Sequence, residues 1–361
     1  MEYSKYKVCV RCFTFNQAKF IEETMNGFVM QQTNFPFICC IVDDASTDGE
    51  QNVIKKYMKS NFAMSDSSIA YEKETDYAHI LFAQHNENKS CYFAILLLKN
   101  NLYSKREGYK KFHYISEWRD NSEYEALCEG DDYWISANKL QKQADFLDSH
   151  PDYGLVHTDF DLVKGKRNHK VIIHDDGNYW PYSLTEGLNI GTLTTMIRLS
   201  VFKVIPRLYL DKKWLMGDKP MWIEISRYFK IHYIPEIMAK YRVLEESASH
   251  GDIEKLIAFL NSGADITTFY ANYFAVPMKP KEKWLYYHET LMKYACRLSE
   301  KEYAFKFLKN AIRNRCVSLK LLIWYLGVNF SFVKKIMKKQ FGMYYGSIFF
   351  SCFNPYTSMY W

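Results

Sequence analysis

Two hydrophobic periods alternate along the first part of the chain. Residues 7–13 form a short apolar-rich run that reads as a strand. Phe20, Ile21, Met25, Phe28 and Val29 recur at close to helical spacing and predict a helix over 20–31. Residues 37–42 are continuously apolar, as in a strand buried on both faces of a parallel sheet, and 51–58 again reads as helix. Strand, helix, strand, helix is the order of an α/β domain built on a parallel sheet. Further along, 79–83 reads as a third strand, and 91–98 is an apolar run that fits either a strand or a buried helix. The pattern then predicts a helix over 138–149, short strands at 154–158, 160–163, 193–197 and 231–234, and a helix over 222–228. From residue 253 onward the pattern is mostly helical, and no internal repeat interrupts it.

Composition narrows the class. The 361 residues are 48% hydrophobic and 17% aromatic, which describes a folded protein with ample length to bury a core. Nine cysteines are scattered without paired spacing. Their odd number, and the lack of a legible signal peptide, point to a reducing cytoplasm. No run of eighteen apolar residues is present, so a spanning helix is not expected. The net charge of +6 is uneven: residues 301–361 hold ten lysines and arginines against one acid, Glu302.

Candidate chemistry sits at two acidic strand ends. The apolar Ala126-Leu127-Cys128 runs into Glu129-Gly130-Asp131-Asp132, and 37–42 runs into Asp43-Asp44. Hard oxygen ligands of this kind suit Mg²⁺ or Mn²⁺, which one or two protein carboxylates hold together with substrate phosphates. A carboxylate beyond a strand in an open α/β sheet also faces the ligand crevice, where it can accept from a base or ribose. The competing reading of Asp43-Asp44 is a turn that caps the next helix through Ser46, Thr47 or Asp48, and that of Glu129–Asp132 is a solvated acidic turn.

Together these strings resemble a known family. Phe13-Thr14-Phe15-Asn16, then Val42-Asp43-Asp44-Ala45-Ser46-Thr47-Asp48-Gly49, then Glu129-Gly130-Asp131-Asp132 with Lys139-Leu140 and Gln143, are similar in order and spacing to a family 2 glycosyltransferase over roughly residues 6–250. The resemblance implies the GT-A fold, an α/β mixed sheet flanked by helices, here followed by a C-terminal helical extension. It divides the chain into a catalytic domain, 1–250, and a helical, basic and aromatic region, 251–361. It further implies a nucleotide-sugar donor, a UDP-sugar by preference, with Mn²⁺ or Mg²⁺ as cofactor and inversion at the anomeric carbon. Asp44 would bind the nucleotide base, and Thr14, Phe15 and Asn16 would line the nucleotide pocket. Asp132 and Asp131 would meet the metal and diphosphate, while Glu129 stands where aspartate is usual. Asp218, in Gly217-Asp218-Lys219-Pro220, matches the second acid of the family's E-D segment and would be the catalytic base; its competing role is to open a helix ahead of Pro220. Arg242 would contact the donor phosphates and His250 would complete the metal site or meet phosphate. Lys105 and Arg106 fit either the donor sugar or a solvated loop.

The basic, aromatic segment 320–361 fits two roles: a helical cap on the catalytic domain, or a surface lying on an anionic membrane. The second would put the protein peripherally on the inner face of the cell membrane, beside a glycan or lipid-linked acceptor of surface-polysaccharide assembly. No nucleic-acid motif accompanies these lysines. Competing functions are a nucleotidyltransferase that makes nucleotide-sugars and a non-catalytic scaffold. The first would need a Gly-rich basic loop after the first strand, which Phe13–Gln17 lacks. The second would need the carboxylates to be missing.

Overall fold

A computed structural model describes residues 6–163, 177–185, 188, 190–244, 253–277 and 280–340. Its strands are β1 (Val8–Thr14), β2 (Phe37–Asp43), β3 (Ala70–Glu74), β4 (Ala78–Gln84), β5 (Cys91–Leu98), β6 (Tyr124–Leu127), β7 (Tyr133–Trp134), β8 (Tyr153–Leu162), β9 (Met196–Arg198) and β10 (Lys230–Tyr241). The helices of the first part are α1 (Ile21–Val29), α2 (Glu50–Asn61), α3 (Lys110–Tyr114), α4 (Ser116–Arg119), α5 (Lys139–Ser149), α6 (Tyr182–Thr185) and α7 (Asp218–Tyr228). Five more follow: α8 (Ile253–Tyr273), α9 (Pro280–Leu298), α10 (Lys301–Arg313), α11 (Leu319–Asn329) and α12 (Ser331–Gln340).

The strands join one mixed sheet in the order β3-β4-β5-β2-β1-β6-β9-β8-β10-β7. Its centre, β5-β2-β1-β6, is parallel, so the carboxyl ends of β1, β2 and β6 lie side by side. That is the edge where open α/β sheets bind ligands. Helices flank this mixed sheet and a helical region follows, as the α/β GT-A expectation requires.

Several elements depart from the sequence pattern. The ambiguous run 91–98 is a strand, because β2 and β4 pair with it on both sides and satisfy its backbone. The two strands expected over 154–163 are one, β8 (Tyr153–Leu162), and β10 runs to Tyr241, well beyond 234. Pro235 and Glu236 hide that continuation; the β8–β10 register shifts between Ile234 and Ile237, where a bulge accommodates the proline. The β-like 193–197 is a 3₁₀ turn, Thr192–Thr194, leading into β9. The edge strand β3 carries mostly exposed polar residues and left no apolar signal.

The C-terminal helices have their own core, including Leu256, Leu260, Met292, Phe307, Leu321 and Trp324. A second apolar cluster, with Ile223 on α7 and Ile266 and Tyr270 on α8, joins them to the sheet-bearing part. Polar ties reinforce the joint: Lys219 Nζ donates to the Gly263 carbonyl at 2.9 Å, and the Tyr270 hydroxyl to Glu224 at 2.5 Å. The division at residue 250 falls outside the described residues. Among the described residues no helix is long and apolar enough to cross a membrane.

Candidate active site

Thr14 ends β1 and is buried, while Phe15 beyond it is 44% exposed. The Thr14 hydroxyl lies between Gln17 Oε1, at 2.8 Å, and the buried Glu50 carboxylate. Glu50 also accepts from the Gln17 N–H at 2.8 Å and the Ser46 hydroxyl at 2.9 Å. Asn16 takes a left-handed backbone and bridges to the next loop: its N–H donates to Ser46 Oγ, and its Oδ1 accepts the Thr47 N–H, both at 2.8 Å. Gly49, at φ 96°, and Asp48, which accepts the Glu50 N–H at 3.0 Å, open α2. The N-cap residue of α2 is Gly49, without a side-chain cap, so the loop serves the helix only through the Asp48 contact to the Glu50 N–H, beside Thr14, Phe15 and Asn16. Glu50 escaped the sequence reading; its position directly after Asp48-Gly49 is the only sequence signal for it.

The two acids after β2 differ in their surroundings. Asp43 is fully buried and accepts from the Ser46 N–H and the Gln51 amide, with one oxygen left unpartnered; burial pushes its pKa up. Asp44, equally buried, accepts the backbone N–H groups of Leu102 at 2.7 Å and Tyr103 at 3.1 Å, and pairs with Lys111 at 2.7 Å. Three donors use most of the roughly four acceptor directions of a carboxylate. Asp44 thus fastens the segment that follows β5. Lys105 and Arg106 lie exposed in that segment, Lys105 donating to Asn100 at 3.0 Å. Lys105 also lines a cavity of about 320 Å³ with Asp76, Tyr77 and Leu102.

The acidic turn follows β6. Gly130 has no room for a side chain: a Cβ there would sit 2.2 Å from Thr14 Oγ1 and 2.5 Å from Gln17 Oε1. Thr24 of α1 shares its hydroxyl between the carbonyls of Gly130 at 2.9 Å and Asp132 at 2.7 Å, which clamps the turn from below. Gly130→Ala is expected to destabilise the protein by about 1–3 kcal/mol, the usual range for overpacking. Denaturant unfolding checks this, and an unchanged midpoint would mean that the turn relaxes freely.

Tertiary pairing brings β10 to the same place. β7, just past Asp132, pairs antiparallel with the end of β10, Ala239 opposite Trp134 and Lys240 opposite Tyr133. The next residue but one, Arg242, donates its backbone N–H to Asp132 Oδ1 at 2.8 Å. Its guanidinium meets the Asp131 carbonyl and the Glu23 carboxylate, and lies 4.8 Å from the Phe20 ring and 4.7 Å from the Tyr133 ring. Arg242 therefore borders the acidic turn through contacts that include Glu23, a residue absent from the sequence reading.

Asp218 is the first residue of α7. One oxygen accepts the Lys219 N–H at 2.7 Å and the other the Thr192 hydroxyl at 3.3 Å. Burial raises its pKa. Burial, with Asp131 and Asp218 nearby, pushes Glu129 up to about 7 against the opposing pull of Arg11 and Lys111. Burial, Asp131 and Glu129 hold Asp132 well above the usual carboxylate range, and burial also raises Asp131. The Tyr241 hydroxyl feels Asp132, Asp131 and Asp218 together. Four carboxylates from two distant parts of the chain thus share one electrostatic neighbourhood.

That crowding suits a divalent cation, which would relieve both burial and mutual repulsion. Among the described residues no three His, Cys, Asp or Glu side chains converge as a ready-made metal cage. An oxygen donor set of one or two carboxylates, completed by substrate phosphates, is the pattern of Mg²⁺-type sites. His250 lies outside the described residues.

The support beneath the turn is structural. Lys139 is fully buried, donates to Gln143 Oε1 at 2.8 Å and lies 4.2 Å from the Trp134 ring. Gln143 in turn donates to the Thr194 carbonyl at 2.8 Å. The string Lys139-Leu140 and Gln143 therefore ties α5 to the strand end behind the carboxylates.

Comparison with known proteins bears on this arrangement. Residues 10–75, which carry β1, β2 and both loops beyond them, match the model of Glycosyl transferase family 2. The uncharacterized protein Rv1520 of Mycobacterium tuberculosis is 32% identical over 242 residues, 63% of this chain and 56% of that protein. The chain thus spans little more than half the length of that relative. The putative teichuronic acid biosynthesis glycosyltransferase TuaG of Bacillus subtilis is 22% identical over 244 residues, 65% of this chain and 79% of TuaG. Among solved structures, the mannosyltransferase PcManGT from Pyrobaculum calidifontis, in complex with GDP-Man and Mn²⁺, aligns with 93% of this chain and 88% of its own at 13% identity and a TM-score of 0.44. The match to glycosyl transferase family 2 is thus confined to the segment that carries the loops beyond β1 and β2, beside the acidic turn, and in that segment the chain is similar to that family.

Proposed function

We propose that the chain is a metal-dependent, inverting glycosyltransferase that moves a sugar from a nucleotide-sugar donor to a glycan or lipid-linked acceptor. The observation that carries this reading is the gathering of Glu129, Asp131, Asp132 and Asp218 at the carboxyl edge of a parallel sheet, beside the loops of the family match. The donor is a UDP-sugar in this reading. Its nucleotide lies against Thr14, Phe15 and Asn16. Its base would meet Asp44, whose carboxylate is engaged in the structure by the Leu102 and Tyr103 N–H groups and by Lys111.

Asp131 and Asp132 would hold Mn²⁺ or Mg²⁺, with His250 as a further candidate ligand. The ion's chemistry is to neutralise charge on the departing diphosphate. Arg242 borders the same phosphates and keeps Asp132 oriented through its backbone N–H. Asp218 approaches from α7 and accepts the proton of the acceptor hydroxyl. As that oxygen bonds to the anomeric carbon, the bond from carbon to the donor phosphate breaks. Burial favours this role, because a raised carboxylate pKa makes a stronger base. The name of TuaG supports an acceptor from surface-polysaccharide assembly.

A panel of nucleotide-sugars, screened for Mn²⁺-dependent hydrolysis, tests the reading and identifies the donor. Asp132→Ala is expected to weaken nucleotide-diphosphate binding by about tenfold or more in the presence of Mn²⁺, the loss typical of a damaged metal site. Calorimetric titration with and without metal reads this out. Equal affinity of variant and parent with Mn²⁺ would remove Asp132 from the metal site.

A further inference from the structure

We infer that the exposed face of α11 is a docking surface for an anionic lipid bilayer. The helix is apolar all round. Leu321, Trp324 and Val328 enter the core of the C-terminal helices. Leu319, Leu322 and Leu326 lie on the other side, 75%, 40% and 45% exposed, and Phe330 continues their stripe at 52%. Their spacing of three, four and four residues keeps all four on one face. A helix with two apolar sides is normally enclosed on both. Here one side is left partly open to solvent among the described residues, most at Leu319 and Phe330 and less at Leu322 and Leu326.

Charge selects the occupant. Lys309 and Lys335 lie exposed on the neighbouring helices α10 and α12, and Lys320 on α11 itself, where it pairs with Glu289 at 3.4 Å. Residues 301–361 hold ten basic side chains and one acid. Two copies meeting stripe to stripe would bring these like charges together, whereas an acidic lipid surface neutralises them. The stripe is short, and no described helix is long and apolar enough to cross a membrane. It would therefore lie on the bilayer, its leucines among the acyl chains and its lysines at the headgroups. This inference does not depend on sugar transfer.

Co-sedimentation of the full chain with vesicles, without donor or metal, tests it. Binding is expected to mixed phosphatidylglycerol–phosphatidylcholine vesicles, to weaken as salt rises, and to be much poorer for pure phosphatidylcholine. The variant L319Q/L322Q/L326Q is expected to bind the anionic vesicles at least about tenfold more weakly, as lost apolar burial dictates. K309E/K335E is expected to lose about tenfold or more through charge alone. Undiminished binding by the leucine variant would overturn the proposal. So would a dimer of the parent that this variant dissolves while neither binds vesicles. The variant's thermal midpoint should fall only modestly, because Leu319 faces solvent while Leu322 and Leu326 are somewhat more than half covered; loss of the folded state would mean that the chain itself covers the stripe, and would equally overturn the inference.

Discussion

Asp218→Asn is expected to lower sugar transfer by about a hundred- to ten-thousand-fold, the range that a positioned general base contributes. Metal-dependent nucleotide binding should persist, because Asp218 belongs to α7 and not to the acidic turn. The replacement is nearly isosteric: the one carbonyl oxygen of asparagine can accept the Lys219 N–H, and its NH2 group can donate to the Thr192 hydroxyl, which turns to accept. A large loss with intact nucleotide affinity and an unchanged unfolding midpoint would isolate the proton-accepting role. In the parent, kcat/KM should fall on the acid side as Asp218 becomes protonated. Burial moves that limb above the usual aspartate range. The variant should lose the share of that limb that Asp218 carries, while the acid-side fall from Asp132 and Glu129 remains. Transfer by Asp218→Asn at the parental rate would exclude Asp218 as the base, and hydrolysis and transfer measured on the same donor would expose a base that serves only one of them.

Lys139 carries the second large effect. Burial lowers its pKa from 10.5 to about 7. Between those values the unfolded chain binds a proton that the folded chain does not, so stability rises with pH. Over pH 7 to 9 this one group should add about 2 kcal/mol to the unfolding free energy. Buried thiols oppose it at the alkaline end: burial raises Cys12, Cys40 and Cys128, and their unfolded forms ionise first. The difference between parent and Lys139→Met is therefore the informative curve. Lys139→Met should be the more stable near pH 7, with the gap closing as pH rises. It gives up the hydrogen bond to Gln143 and the contact with Trp134, which reduces the gain but does not alter its slope. Parallel stability–pH curves for the two proteins would show that Lys139 is charged and compensated in the folded state.

Much of the site was legible before any coordinates. Asp44, Asp131, Asp132 and Asp218 stood out because carboxylates after apolar runs, or at a helix start, are local patterns. β2 was legible because burial on both faces demands an unbroken apolar string. The uses of those residues were less legible. Asp44 looked like a free acceptor, yet the segment after β5 folds back to give it three donors. Arg242 looked like a phosphate ligand, yet its backbone also orients Asp132 and its side chain meets Glu23. Glu50, Thr24 and Lys111 were not singled out at all. Thr24 and Lys111 act through contacts distant in sequence, to Gly130 and Asp44, and Glu50 joins its near neighbour Ser46 to Thr14, 36 residues away, which no local pattern announces.

By itself the sequence determined the α/β alternation, the strings that end β1, β2 and β6, and the charge of the C-terminal region. Those depend on local periodicity and composition, which a chain carries whatever it packs against. Only the tertiary structure decided that β10 continues past Pro235 to pair with β7, that Arg242 thereby closes over Asp132, and that α7 brings Asp218 into the field of Glu129. Burial is the physical reason. A carboxylate's solvation and its neighbours set its proton affinity, and both are properties of the packed chain rather than of any segment. The same holds for α11, whose sequence is mostly apolar and whose partly open side became visible only once the opposite side had been packed away.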